Sequence, residues 1–391
     1  MLTLDLQLEA IEAGFSLKDA TPFNVQFRGP HPVFIDLPSI ERPRRFDLWY
    51  ALGQFSRTFL FPLLLHRHRG WDLRSYFLGN LDGRDSNAVV RSFGTFGRWH
   101  PALWLDVTLP WLLERLAERR PRRPAPVSAA PSVNREPVRL NLQRLRRKIV
   151  KLRDSHRPAG LWARYTTLCN YDAEAEKGKK DFVRRMLRAA SPASVLDLGC
   201  NTGDYSLAAA ELGCAVTAID QDPESIDILY RRAKEAAVPI LPLVVDVTNP
   251  SPALGFRLAE RPSFYDRGRA DCVLALALMH HLVVSGNLSL PAVCELFDDL
   301  TREHLLLEFV PPRGRHVPTP NPVLARFLRR SDSGGVPQGL RRAIRHRRGI
   351  RGAALSTDPI LDAKTLKRRG LLRPVSISHG NSLIHDSLNG R

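Results

Sequence analysis

At 391 residues with 43% hydrophobic side chains, the chain has enough material for two or three domains with buried cores. It holds no apolar run of roughly 18 residues, which excludes a membrane-spanning helix, and Met1–Ala13 is acidic without an apolar stretch, so no secretory signal is expected. The net charge of +18 would suit a nucleic-acid binder if it were spread over the whole chain. Instead, residues 115–157 hold 14 Lys/Arg against 3 Asp/Glu and residues 311–391 hold 17 against 4, which leaves the remainder mildly acidic. Charge gathered in this way reads as a solvated linker and tail. The five cysteines, Cys169, Cys200, Cys214, Cys272 and Cys294, include no C-x-x-C pair, which points to a reducing, cytoplasmic setting without structural zinc.

From the N-terminus, Asn24–Phe27 alternates, Arg28-Gly29-Pro30 turns and Val33–Asp36 returns, which predicts a β-hairpin. The spacing Asp19-x-x-x-x-Asn24, followed by a strand ending in Asp36, faintly echoes a phosphotransferase catalytic loop. Residues 1–18 are too few to supply a phosphate-covering glycine loop and a strand lysine, so that activity is not expected. Asp47–Leu65 carries Trp49, Phe55, Phe59, Phe61 and Leu64 at helical spacing. His66 and His68, flanked by arginines, read as a solvated helix end, and no metal is expected. Residues 117–137 are rich in Pro, Ala, Ser and Arg without a period, as a linker is. Asn141–Arg153 has Leu142, Leu145, Ile149 and Leu152 on one helical face and a basic face opposite. Trp162, Tyr165, Asn170 and Tyr171 precede a charged helix from Lys177 to Ala190.

The centre of the chain carries the chemistry. An apolar strand at Val195–Leu198 contains Asp197 and runs into Gly199-Cys200-Asn201-Thr202-Gly203, with a helix expected over Leu207–Leu212. Glycines permit close backbone approach, and the helix start offers free N–H groups to polar ligand atoms. A second strand, Ala215–Ile219, ends in Asp220, and a third, Ile240–Val245, ends in Asp246. A dinucleotide site would show G-x-G-x-x-G; here the spacing is D-x-G-x-x-x-G. Asp271–Leu278 is a fourth buried strand leading to Met279-His280-His281-Leu282, and His304–Val310 a fifth, with Glu308 near its end. Chemistry in an open α/β sheet gathers at strand C-termini, so His280, His281 and Glu308 are the catalytic candidates, with His280 favoured as the proton acceptor.

The D-x-G-x-x-x-G loop with its acidic strand ends resembles the class I S-adenosylmethionine-dependent methyltransferases. The runs LKDATPFNVQF, PVFIDLPSIE, QFSRTFLFPLLL, LGNLDG, LDLGCNTGDYS and ILPLVVDVTNPSPALGF are similar to those of the bacterial host-specificity nodulation methyltransferases, over most of residues 15–310. The resemblance implies S-adenosyl-L-methionine as cofactor. Asp197, Gly199, Cys200, Asn201, Thr202, Gly203 and Tyr205 would lie at its methionine end, Asp220 and Gln221 at the ribose, and Asp246 and Val247 at the adenine. It also implies a lid role for the aromatic residues at 162–171.

The expected architecture is α/β: a Rossmann-like class I methyltransferase sheet over 158–310, an N-terminal accessory α+β region over 1–114, a basic linker and helix over 115–157, and a basic tail over 311–391. That tail offers only Val375–Ser378 as a closing strand and reads as disordered or as an incomplete sheet end. The expected reaction is methyl transfer to an oxygen or nitrogen of a small-molecule, saccharide or lipid-linked acceptor. An RNA methyltransferase using the basic segments and a non-catalytic cofactor-binding module are the alternatives, and nucleic acid is the less favoured partner.

Overall fold

A computed structural model of the chain describes residues 1–119, 132–154, 173–308 and 361–362. The expectations for Trp162, Tyr165, Asn170 and Tyr171, for most of the linker, and for Val375–Ser378 and nearly all of the tail lie outside the described residues.

The N-terminal body opens with helix α1 (Leu2–Glu12), which turns Leu4 and Ile11 into a core. Strand β1 (Ser16–Leu17) pairs antiparallel with β4 (Ile40–Glu41). Between them lies the expected hairpin of β2 (Val25–Arg28) and β3 (His31–Phe34), with Arg28 opposite His31. Gly29 takes φ +57° at its turn, a conformation open to glycine at little cost.

The helix expected from Asp47 begins only at Leu52, because Trp49 is turned inward to donate its indole N–H to the Leu17 carbonyl at 3.0 Å. It runs as α2 (Leu52–Phe55), a π-helical turn (Ser56–Leu60) and α3 (Phe61–Arg69), and is closed by left-handed Gly70. There follow α4 (Leu73–Leu78), α5 (Ser86–Gly97), α6 (Pro101–Leu103), a second π-helical turn (Trp104–Thr108), α7 (Leu109–Glu118) and α8 (Glu136–Asp154). Each π turn runs into a helix whose second residue is proline, Pro62 or Pro110. Proline lacks the N–H that would continue the ladder, and the widened turn absorbs the break. Helix α8 buries Val138, Leu142, Leu145 and Ile149 in the N-terminal core.

The second body is a six-stranded sheet in the order β10-β9-β8-β5-β6-β7. Strands β5 (Ser194–Leu198), β6 (Ala215–Asp220), β7 (Ile240–Val244), β8 (Ala270–Ala275) and β9 (Thr301–Leu307) are parallel. The two-residue β10 (Leu361–Asp362) runs antiparallel along β9. Their apolar runs are covered on both faces, as an all-parallel sheet requires. Helices α9 (Ala173–Ala190), α10 (Asp204–Glu211) and α11 (Pro223–Glu235) place Val183, Leu187, Ala209 and Leu229 on one face. Helices α12 (Phe264–Arg267) and α13 (Leu290–Leu300) place Phe264, Val293, Leu296 and Phe297 on the other.

The fourth strand stops at Ala275, short of Leu278, because Ala277 adopts φ +51° and breaks the extended run. The fifth occupies Thr301–Leu307, so Glu308 sits one residue beyond its end. From central β5 the chain winds out to β6 and β7, then returns to β8 on the other side. The crevice at this reversal is where open α/β sheets bind ligands.

Candidate active site

At the end of β5, Asp197 is 2% exposed, and Ser206 Oγ donates to it at 2.6 Å. Burial pushes its pKa up to about 6, with the Ser206 hydrogen bond opposing and the nearby Asp220 carboxylate adding to the rise. The loop that follows takes left-handed backbone at Gly199, Asn201 and Gly203. The Gly199 and Cys200 N–H groups both donate to the Ile219 carbonyl, at 2.9 and 3.0 Å, which ties the loop to the end of β6. A side chain on Gly203 would collide with Leu229 of α11, so this glycine lets helix and loop approach closely. Thr202 is held through its carbonyl by Arg232, at 2.7 Å, and the same guanidinium pairs with Asp204 at 2.8 Å. The buried Cys200 thiol is pushed well above its ordinary pKa by desolvation.

Asp220 accepts the Asn201 N–H on one oxygen and the Asp222 N–H on the other, both at 2.9 Å. Burial raises its pKa, with those backbone hydrogen bonds opposing. Each of its oxygens keeps accepting capacity toward the crevice, since a carboxylate has about four lone-pair sites. Gln221 is exposed beside it. Asp246 lies two residues past the end of β7, where it caps the Thr248 N–H at 2.8 Å, and Val247 packs against the sheet's second apolar layer.

The His280 and His281 rings lie side by side, their centroids 4.0 Å apart, at the start of the π-helical turn after β8. They have different neighbours. Burial lowers the pKa of both, opposed by Glu308 at His280 and by Asp220 at His281. Glu308 in turn lies 2.5 Å from Lys179 of α9, whose ammonium sits 5.0 Å from the Tyr205 ring centroid. Burial raises the Tyr205 pKa, and Glu308 is the largest of the charges adding to that rise. The strand ends therefore gather Asp197, Asn201, Tyr205, Asp220, His280, His281, Glu308 and Lys179 into one polar rim.

Three buried atoms on this rim, Asn201 Oδ1, His280 Nδ1 and Glu308 Oε2, have no hydrogen-bond partner among the described residues, and of these only Glu308 Oε2 has an ion pair, with Lys179. Buried polar atoms are costly to leave unpaired, so they mark where a ligand is expected.

Residues 195–288 match the family of methyltransferase domains. The chain carries a class I methyltransferase domain. Such domains draw their methyl group from S-adenosyl-L-methionine. Nodulation protein NoeA of Rhizobium meliloti (strain 1021) is 34% identical over 315 residues, covering 80% of this chain and 66% of that protein. The chain thus spans about two thirds of that relative's length. The O-antigen chain terminator bifunctional methyltransferase/kinase WbdD of Escherichia coli is 30% identical over 118 residues, 29% of this chain and 14% of that protein. Among solved structures, magnesium protoporphyrin IX methyltransferase from Synechocystis PCC 6803 with bound SAM is 21% identical, over 36% of this chain and 62% of that one, at a TM-score of 0.27. That likeness is too slight to add to the assignment.

Three residues at the methyltransferase site carry no sequence signal of their own: Lys179, Arg232 and Arg74. Arg74 of α4 reaches across from the N-terminal body to donate to the Asn249 and Pro250 carbonyls at 2.5 and 3.0 Å. Those carbonyls belong to the loop just past Asp246. Arg261 stacks on Phe23, its guanidinium carbon 3.1 Å from the ring centroid, as a second link between the two bodies.

Proposed function

We propose that the protein transfers a methyl group from S-adenosyl-L-methionine to an oxygen or nitrogen of a small-molecule, saccharide or lipid-linked acceptor. The observation that supports this best is the pair of unpartnered buried atoms, Asn201 Oδ1 and His280 Nδ1, on opposite sides of the β5–β8 crevice. Asn201 and the Gly199–Gly203 backbone would receive the methionine end, and Lys179 and Tyr205 bound that end of the rim. Asp220 would accept the two ribose hydroxyls with its remaining lone pairs, and Asp246 and Val247 would flank the adenine.

S-adenosyl-L-methionine supplies a methyl carbon activated by its sulfonium. What this chain contributes is placement, and a base where the acceptor must lose a proton. His280 fits that role, because burial keeps its ring neutral at physiological pH and its Nδ1 is uncommitted. Glu308, one of its neighbours, would steady the charge that the ring gains. One relative is named as an O-antigen chain terminator, which favours the saccharide among the acceptor classes.

Calorimetric titration of S-adenosylhomocysteine into the wild type and Asp220→Ala tests the cofactor assignment. Binding should weaken by about 1–3 kcal/mol in the variant, the cost of leaving ligand hydroxyls unpaired. Absence of binding to folded wild type overturns the reading.

A further inference from the structure

The helical part of the N-terminal body leaves one apolar side bare. Helix α5 breaks at Gly94, which takes φ +72°, a left-handed backbone that glycine adopts at little cost. The turn beyond the break carries Phe96, 90% exposed, and Trp99, 53% exposed, with the Trp99 N–H donating to the Phe96 carbonyl at 3.1 Å. Trp99 stacks on Trp104, also exposed, at the start of the π-helical turn, their ring centroids 5.5 Å apart. From there Leu105, Leu109, Leu113 and Leu116 recur at steps of four, four and three residues through α7. That spacing keeps side chains on one side of a helix. Leu113 and Leu116 are 57% and 55% exposed, and Leu105 is exposed with them.

The charges around this side are sorted. Between Phe96 and Leu113 the one acidic residue is Asp106, which is buried and held by Arg144 and Lys148. Glu114 and Glu118 fall on the other side of α7, where they line a cavity with Arg91 and Arg98, and Glu114 accepts from Ser86 Oγ at 2.5 Å. Cations gather at the far end. Arg119 is exposed just past α7, and Arg120, Arg122 and Arg123 follow it in the sequence.

A bare apolar side of this extent marks an interaction surface, and its two ends say of which kind. Tryptophan rings at one end, leucines along the body, arginines at the other end and no free acid between them suit a helix lying in the plane of a bilayer surface. There the apolar side chains sit among the headgroups and the guanidinium groups meet phosphates. Among the described residues no helix is long and apolar enough to cross a membrane, so the contact is with the surface. A second copy is the poorer occupant: two chains of net charge +18 repel, whereas an anionic lipid surface attracts such a chain.

We propose that the outward side of α6, the π-helical turn and α7 docks the protein on an anionic phospholipid surface, with Phe96, Trp99, Trp104, Leu113 and Leu116 entering the headgroup layer. This docking rests on the N-terminal body alone and does not depend on the methyl-transfer reading.

The test mixes the full chain with vesicles of phosphatidylcholine, with and without phosphatidylglycerol, and follows co-sedimentation together with quenching of tryptophan fluorescence by lipids brominated in their acyl chains. The wild type should bind the phosphatidylglycerol vesicles, bind them less as salt is raised, and be quenched by them. Combining Leu113→Ser with Leu116→Ser should weaken binding roughly tenfold or more, because two leucines lose their burial in lipid. The thermal midpoint and S-adenosylhomocysteine binding should stay fixed, since neither side chain is buried in the folded protein. Combining Trp99→Phe with Trp104→Phe should keep the binding and abolish the quenching. Failure of the wild type to bind, equal binding to phosphatidylcholine alone, or binding indifferent to the leucine substitutions overturns the docking surface. Quenching that survives the tryptophan substitutions also overturns it, by placing the inserted residues elsewhere. A dimer that the leucine substitutions dissociate, with no vesicle binding by the wild type, assigns this side to a second copy and overturns the lipid.

Discussion

Asp106 in the N-terminal body and Asp197 in the sheet are both buried aspartates, and their surroundings push them in opposite directions. Asp106, its side chain 5% exposed, sits 2.5 Å from both Arg144 and Lys148 of α8. Desolvation alone would raise its pKa, but the hydrogen bonds and charges of these two cations more than offset it, and the net shift is downward. Asp197 has no cation in hydrogen-bond contact, only the hydroxyl and backbone N–H of Ser206 and the weaker pull of the Lys179 charge, and its pKa rises to about 6. A carboxylate that pins two helices together is given cations; one in a ligand crevice is left short of them. The contrast separates structural from functional burial more sharply than depth does, because both side chains are almost fully covered.

The largest effect should come from breaking the pinned side. Asp106→Ala strands Arg144 and Lys148 against the N-terminal core without their counter-charge. Removing one partner of a buried ion cluster costs about 3–5 kcal/mol, so urea denaturation should show a midpoint collapse with the N-terminal body unfolding first. Asp106→Leu should recover part of the loss if packing can replace charge there. Equal stability of Asp106→Ala and wild type would mean the cluster is solvated and the contrast false.

Gly203→Ala tests the crevice side by geometry alone. Gly203 has φ +85°, and an added methyl meets Leu229 in a tightly packed layer. Backbone strain and overpacking together should cost about 2–4 kcal/mol. S-adenosylhomocysteine affinity should fall with it, since loop and helix must separate. Gly199→Ala, whose added methyl would lie 3.1 Å from the flexible Leu278 side chain, should cost less.

The Asp197 shift makes a prediction about pH. Its folded pKa of about 6 exceeds the ordinary carboxylate value of 3.8, so the folded state holds the proton more tightly than the unfolded one. The resulting stability is fully present below the ordinary value and is lost as pH rises through about 6. At pH 7.5 Asp197 is therefore a net cost, and Asp197→Asn, which can still accept from Ser206, should stabilise the apo protein by about 1–3 kcal/mol. Thermal midpoints of the two proteins should converge toward pH 4. Cofactor affinity should move the other way. A variant that stabilises equally at pH 4 and 7.5 would show that desolvated charge is not the cause.

Much of this contrast was readable from the sequence on one side only. The strands, the glycine loop and the acids Asp197, Asp220 and Asp246 follow from local patterns, because parallel strands repeat apolar residues and a cradle needs glycine in a fixed place. The hairpin at 24–36 was equally legible, since alternation and a Gly-Pro turn are local signals. Boundaries were less so: β8 ends at Ala275 through a left-handed alanine, which no composition rule foresees. Lys179, Arg74 and the Asp106 cluster were invisible, because each pairs residues dozens to more than a hundred positions apart, and a basic helix such as α8 looks solvated until its partner is placed. The amphipathic face of α8 was seen; that its cations reach a buried acid was not.

Arg74 gives the smallest and most discriminating test. It is bound to two carbonyls of the loop past Asp246 but lies outside the sheet domain, on a short helix whose own core contact is Tyr76. If the N-terminal body serves only as a neighbour, Arg74→Ala should change nothing that the cofactor reads. If it holds the loop in register for the adenine, two lost hydrogen bonds near the surface, at about 0.5–1.5 kcal/mol each for a typical bond, should appear as a few-fold to tenfold weaker S-adenosylhomocysteine binding, with the thermal midpoint nearly fixed. Both bonds come from one nitrogen, Nη2, so Arg74→Lys, whose ammonium carries three donors on a shorter stem, should fall between. A graded series would make the loop a joint between the two bodies, so that the region carrying the pinned aspartate helps to set the affinity of the region carrying the poised one.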